Sequence, residues 1–141
     1  MDTLIDKYIK GNHFGKLIGM DFKIIADGEV EYRLQIGTQH LATPMAAHGG
    51  VIAALVDAAL GVAALSAVHA QNKVVSTLEY KLNFLSPALL GDQLRATGKV
   101  IQMGKRIVIS ECEVTCSSRE NKLIAKAIGT FNSYDAAKAG Y

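Results

Sequence analysis

The chain has 141 residues, 50% of them hydrophobic, with 15 basic against 13 acidic side chains. That length supports one domain with a core of its own, and that apolar fraction excludes a disordered chain. A net charge of +2 with both signs interspersed leaves no basic stripe, which excludes a nucleic-acid surface.

The first ten residues, MDTLIDKYIK, carry acidic side chains and no long apolar run, unlike a signal peptide. Leu4, Ile5, Tyr8 and Ile9 share one helical face, and a second short turn follows over Phe14–Ile18. Residues 1–19 therefore read as a helical brace. Met20 to Ala26 reads as extended, and Asp27-Gly28 is a hairpin signal. Val30, Tyr32, Leu34 and Ile36 then alternate with polar residues, as a half-buried strand does. Gly37 to Ala47 is irregular and contains Pro44.

The stretch Ala47–Val68 organises the chain. Asp57 and Ser66 are its only polar side chains after Val51, no proline interrupts it, and Ala and Leu dominate. It reads as a helix apolar on every face, which is either a membrane span or a buried core element. Its apolarity is largely Ala and Gly, and an Asp in mid-span would cost roughly 3 kcal/mol. The buried helix is the better reading, and no membrane partner is expected. A lone Asp in such a helix must be paired or must line a site.

After Gln71-Asn72-Lys73 the pattern alternates again. Leu78, Tyr80, Leu82 and Phe84 fall on one face, and Thr77, Glu79, Lys81 and Asn83 on the other. A loop through Ser86-Pro87-Ala88 and Gly91-Asp92 precedes strands over Leu94–Met103, Arg106–Cys116 and Lys122–Tyr134. The tail 135–141 carries no signal. Cys112 and Cys116 stand four residues apart on a strand, about 13 Å, too far for a disulfide. With no His or Cys at ligand spacing they predict buried thiols, no metal site and a reducing, cytoplasmic setting. Two strands, one helix and four strands with short connections predict an α+β domain, a single antiparallel sheet curved around the helix. Open sheet edges and an all-round apolar helix both predict an oligomer.

Three places could carry chemistry. His48-Gly49-Gly50 puts two side-chain-free residues at a helix N-terminus, where backbone N–H groups favour negative charge; close packing alone would also explain the glycines. Asp57 follows His48 by nine residues, which on a helix sets them on opposite sides and about 13 Å apart. If both act on one substrate, the site is shared by two chains. Thr77 reads as a strand residue on a solvated or cleft-lining face. The turn Met103-Gly104-Lys105-Arg106 offers cations, while His13, His40 and His69 receive no role.

Taken together, A-A-H-G-G-V-I-A-A-L-V-D-A-A, T-L-E-Y-K-L-N-F-L-S-P-A-L-L-G-D, M-G-K-R-I-V-I-S-E-C-E-V-T and I-A-K-A-I-G-T-F resemble the hotdog-fold acyl-CoA thioesterases of the phenylacetic-acid-degradation type. The resemblance covers about residues 20 to 134 of one domain spanning 1–141. It implies a hotdog fold, dimers that pair into tetramers, and an active site at the dimer interface. It implies that the Gly49 N–H polarises the thioester carbonyl and that Asp57 of the other chain activates water or attacks directly, with His48 and Thr77 in support. Gly50 would share the carbonyl site. The coenzyme A arm would pass Phe84, Ser86, Pro87 and Ala88 and the turn Gly104, Lys105 and Arg106. Coenzyme A is then part of the substrate, and no cofactor is needed. Many members of the family carry an Asn before the HGG; here Ala42-Thr43-Pro44 stands there, and Thr43 is the candidate substitute. Phe14, Leu17, Met45 and helix alanines 53, 54 and 58 are candidate walls for an aryl or medium-length acyl group. The competing readings are a hotdog enoyl-thioester hydratase or dehydratase, and a non-catalytic acyl-CoA-binding dimer.

Overall fold

The computed structural model describes all 141 residues. Two short helices, α1 (Leu4–Gly11) and α2 (His13–Ile18), open the chain. Thr3 and Asp6 cap α1 reciprocally, and Gly19, at φ +87°, ends α2 in the left-handed conformation that glycine adopts without strain. The hairpin β1 (Asp21–Ala26) and β2 (Glu29–Gln35) follows, then the long helix α3 (Gly49–Val68). Four strands complete the domain: β3 (Lys73–Phe84), β4 (Gln93–Met103), β5 (Ile107–Cys116) and β6 (Lys122–Asp135). They form one six-stranded sheet in the order β1-β2-β4-β5-β6-β3, antiparallel throughout. The edges are β1 and β3.

The sheet curves around α3. By length and composition α3 could cross a membrane, but twelve of its twenty residues are buried against the sheet. The second polar residue of the helix is satisfied inside the core. Ser66 Oγ donates to Ala63 O at 2.7 Å and accepts the Gly28 N–H at 2.8 Å, fastening the β1–β2 hairpin to the helix. Ser110 Oγ likewise donates to Leu60 O at 3.0 Å from β5. Helix and sheet touch most closely at Gly98, where a Cβ would clash with the carbonyl oxygen of Ala59 and stand 2.8 Å from its carbon. The curvature needs a glycine there.

The sheet leaves part of the helix uncovered, as the oligomer expectation allows: Ala54, Asp57, Ala58 and Gly61, at helical spacing along one stripe, are half-buried and face a cavity. One expectation about the strands requires correction. Thr77 does not share a face with Glu79 and Lys81. The β3–β6 register jumps from Thr77↔Phe131 to Glu79↔Thr130, so Leu78 is a bulge. A bulge adds one residue and reverses the alternation beyond it. Thr77 therefore points to the helix on the same side as Tyr80 and Leu82, which pack on the core, while Leu78 is exposed. The tail, read as featureless, forms a short 3-10 turn over Ala136–Ala139.

The cysteines are free and buried. Burial pushes the Cys112 thiol up to about 12, so it stays protonated and serves packing.

Asp92 immediately precedes β4 and is 5% exposed. Burial raises its carboxyl, but the Arg119 guanidinium and the Leu89 N–H lower it by more, so the net displacement is below the usual carboxylate range. A carboxyl depressed on folding contributes stability above its unfolded value, near 4, and loses it as pH falls through the folded value. The stability advantage of the native chain over Asp92→Asn, measured by urea unfolding, should be present at pH 7 and shrink below about pH 4. At the helix–sheet contact, Gly98→Ala should lower stability by about 2 kcal/mol. Gly11→Ala, which meets no atom within 4 Å, should be close to neutral in the same assay.

Candidate functional site

His48 stands at the N-cap of α3 in an extended conformation, and its Nδ1 accepts the Gly50 N–H at 2.7 Å. The backbone is the donor, so Nδ1 carries the lone pair and the neutral ring holds its proton on Nε2. The neighbouring Gly49 N–H, at the first helical position, has no intrahelical acceptor and remains open at the positive end of the helix. Gly49 is exposed, and a Cβ there would meet the Phe84 ring at an ordinary 3.5 Å. Packing does not demand glycine at 49. At Gly50 a Cβ would crowd His48 Nδ1 at 2.8 Å.

The segment leading into the helix is irregular and hangs on hydrogen bonds. The His48 N–H reaches His40 O and the Ala47 N–H reaches Ala88 O, both at 2.8 Å; the Leu90 N–H reaches Met45 O at 2.9 Å. Thr43 is exposed, and its Oγ1 accepts the Ala46 N–H at 3.0 Å, which folds the turn back on itself and leaves the hydroxyl proton to donate. His40, given no role from the sequence, is buried: its Nδ1 accepts from the Gly37 N–H at 2.9 Å and its Nε2–H donates to Ile18 O at 2.7 Å. It ties the end of α2 to the segment before His48. Nothing in the sequence marked it, because its partners are backbone groups.

Asp57 is half-buried near the middle of α3, and Thr77 Oγ1 donates to its Oδ1 at 2.8 Å. Oδ2 takes no hydrogen bond. Both residues line a cavity of about 420 Å³ whose wall is otherwise mostly apolar. Ala54, Ala58 and Gly61 form its helical side, and Phe14 and Met20 from the N-terminal region close it. Among the expected wall residues, Phe14, Ala54 and Ala58 line it, whereas Leu17, Met45 and Ala53 do not. An aromatic cluster borders it: Phe22 stacks on Tyr32 at 5.0 Å and tilts against the cavity-lining Tyr8 at 6.2 Å. Burial pushes both phenols up, so both stay protonated.

One chain does not assemble the whole set. The cavity holds Asp57 and Thr77 but neither His48 nor Gly49. Phe84 sits against Gly49, and Ala88 supports Ala47, near the N-terminal end of α3. Ser86 is held by Ile124 O at 3.2 Å beside the exposed Pro87. Gly104, Lys105 and Arg106 lie at the other end, around a groove with Val68 and Lys73. Lys73, missed from the sequence because 32 residues separate it from Lys105, adds a third cation there.

Residues 46–122 match the thioesterase superfamily. The chain belongs to this superfamily. The matched span runs from Ala46, before the HGG, to Lys122, and includes Asp57, Thr77, the Phe84–Ala88 loop and the Gly104–Arg106 turn. A provisionally named esterase of Saccharolobus solfataricus is 38% identical over 84 residues, 60% of this chain and a little over half, 56%, of that relative. Human acyl-coenzyme A thioesterase 13 is 26% identical over 124 residues, covering 87% of this chain and 86% of its own. Among solved structures, the Escherichia coli PaaI protein from the phenylacetic acid degradation operon superposes with TM-score 0.84 at 22% identity, over 92% of this chain and 90% of that one. It shows the shared hotdog fold. A Streptococcus mutans protein solved with acetyl CoA superposes with TM-score 0.74 at 25% identity, over 82% and 89% of the two chains.

Within this thioesterase-superfamily chain, the Thr77 hydroxyl is the one protein group that fixes the Asp57 carboxylate. Thr77→Val keeps the side-chain shape and removes the donor. It should lower thioester hydrolysis roughly tenfold, whereas Thr77→Ser should retain most of it, both read by thiol release.

Proposed function

We propose that the protein is an acyl-CoA thioesterase whose active site is shared by two copies of the chain. The observation that carries this reading is a single helix with two separate reactive features. One is the open Gly49 N–H at its positive end; the other is Asp57, eight residues on and about 12 Å along the axis. The Gly49 N–H of one chain polarises the thioester carbonyl, while Asp57 of the partner subunit, oriented by its Thr77, acts on the opposite side. There Asp57 either takes a proton from the attacking water or attacks the carbonyl carbon itself. In the first route the water oxygen bonds to the carbonyl carbon, the C–S bond breaks, and coenzyme A leaves with the proton. In the second the C–S bond breaks as the Asp57 oxygen bonds to the carbonyl carbon, and coenzyme A leaves as the thiolate. Water then hydrolyses the acyl–Asp57 anhydride to the acid and the Asp57 carboxylate, supplying the proton the thiolate takes up. The net products in either case are the acid and free coenzyme A.

Several features support this arrangement. The outer edge of the long strand β3 is left free at the sheet margin, and exposed apolar side chains, Met45, Phe84, Leu85 and Leu90, surround the helix start. A twofold pair, and a tetramer built from two such pairs, would cover them. The names of the human relative and of the acetyl-CoA-bound structure favour coenzyme A thioesters. Lys73, Lys105 and Arg106 suit the phosphates of that arm, and Ser86 and Pro87 border its path past Phe84. The apolar cavity of about 420 Å³ suits an aryl or medium-length acyl group. His48 acts through Gly50: with Nδ1 already accepting a backbone bond, it has no free base nitrogen in the neutral ring, which weighs against a hydratase that uses it for proton transfer. No cofactor enters the proposed reaction. Buried free thiols suit a reducing, cytoplasmic setting.

The test is thiol release from short, medium, long and aryl acyl-CoAs, with Asp57→Asn beside the native protein. The native chain should hydrolyse some of them, and the mutant should fold normally and lose at least roughly 10²-fold in turnover. A well-folded, fully active Asp57→Asn would remove Asp57 from the mechanism. Tight binding without any thiol release would favour a binding protein.

A further inference from the structure

The geometry points to Arg119 and Asp92 as positioning residues for the Gly49 N–H, acting through the carbonyl of Ala88. This rests on the reading of Gly49 as the donor that polarises the substrate carbonyl.

Three features build the device. Arg119 lies in the short turn between β5 and β6, far from the helix start in sequence. Its Nε donates to Asp92 Oδ1 at 3.0 Å and its Nη2 to Asp92 Oδ2 at 2.6 Å, a two-pronged pair with a carboxylate that is 5% exposed. Both partners then reach the same loop. Arg119 Nη2 donates to Pro87 O at 3.1 Å, and Asp92 Oδ2 accepts the Leu89 N–H at 2.8 Å. These two bonds grip the residues on either side of Ala88. The Ala88 carbonyl is the acceptor for the Ala47 N–H, two residues before Gly49, and the Leu90 N–H holds Met45 from the same loop.

The turn that carries Arg119 is itself anchored. Ser118 Oγ accepts the Gln93 N–H at 3.0 Å, and Ser117 Oγ donates to Gln93 O at 3.2 Å. A series of hydrogen bonds therefore runs from the β5–β6 turn, through the ion pair and the loop, to Ala47, the residue before the N-cap of α3. The segment Ala42–Ala47 lies outside the named strands; beyond its own turn between Ala42 and Ala46, isolated bridges to Leu41 and Leu89 hold it. A backbone donor displaced by about 1 Å can cost as much as 10² in rate. A loosened grip on Ala88 thus changes turnover without touching substrate.

The measurement is amide hydrogen exchange by NMR on the full chain, alongside kcat and KM on an acyl-CoA that the native protein hydrolyses. Arg119→Gln removes the charge; Arg119→Lys keeps it but lacks the fork needed to hold Asp92 and Pro87 together. In both variants the Ala47 and Leu90 amides should exchange about tenfold faster, with the interior of α3 unchanged. The kcat should fall about tenfold with KM within twofold of native. The lysine variant supplies the result if the glutamine variant fails to fold. Unchanged Ala47 exchange, unchanged kcat, or exchange raised equally across α3 and the sheet would each overturn the positioning role. A native protein that hydrolyses no acyl-CoA would instead sink the thioesterase reading, and exchange at Ala47 alone would then decide whether the pair holds this loop.

Discussion

A rigid helix cannot bring its own start and its own middle together. Gly49 and Asp57 lie on one uninterrupted α3, which fixes them about 12 Å apart whatever the surroundings do. Much of the molecule is consistent with that separation. The cavity beside Asp57 excludes the helix start, the cationic groove sits at the far end of α3, and the outer edge of the twelve-residue β3 is left free at the sheet margin. In the proposed function these three features answer one another across a twofold axis, because an antiparallel copy sets the start of one helix beside the middle of the next.

The core helix and the site make opposing demands on the same residues. The sheet needs large apolar contacts along α3, and it obtains them from Val51, Ile52, Leu55, Val56, Leu60 and Val62. The site needs space, and obtains it from the stripe of Ala54, Ala58 and Gly61 beside Asp57. A helix uniformly rich in Leu would bury more area at about 25 cal/mol per Å², but it would fill the cavity. The near absence of an amphipathic pattern in α3 therefore conceals two faces of different size rather than different polarity.

This explains what the sequence revealed and what it withheld. The strands were readable from their alternation and the turn residues between them, and the helix from a long apolar run of Ala and Leu without proline. Asp57 was readable because it interrupts an apolar run. The face of Thr77 was not, because alternation presumes an unbroken strand and the bulge at Leu78 follows from pairing with β6 rather than from any local turn residue. His40 and the Asp92–Arg119 pair were invisible for a different reason. Their partners are backbone groups or lie 27 residues away, and neither leaves a motif. The cavity was legible only in part: Phe14, Ala54 and Ala58 are among the expected walls, whereas Met20, which reads as the start of a strand, is not.

The polar groups that the sequence concealed share one task. Ser66, Ser110, His40 and Asp92 are each buried, and each bonds to the backbone of another element. Ladder hydrogen bonds hold the strands and intrahelical bonds hold α3, so regular structure needs little help. The segment Gly37–Ala47 lacks a continuous ladder, yet it delivers His48 and Gly49 to their places. An irregular segment can be held only by side chains or by the backbone of other irregular segments. Buried side-chain acceptors serve well there, since leaving one unmade costs about 1–3 kcal/mol and so penalises every alternative path of the chain. On this view the apolar core specifies the sheet and the helix, and a small number of buried polar bonds specifies where the helix begins. The second requirement is the stricter one for chemistry, because the open Gly49 N–H belongs to the junction between the two.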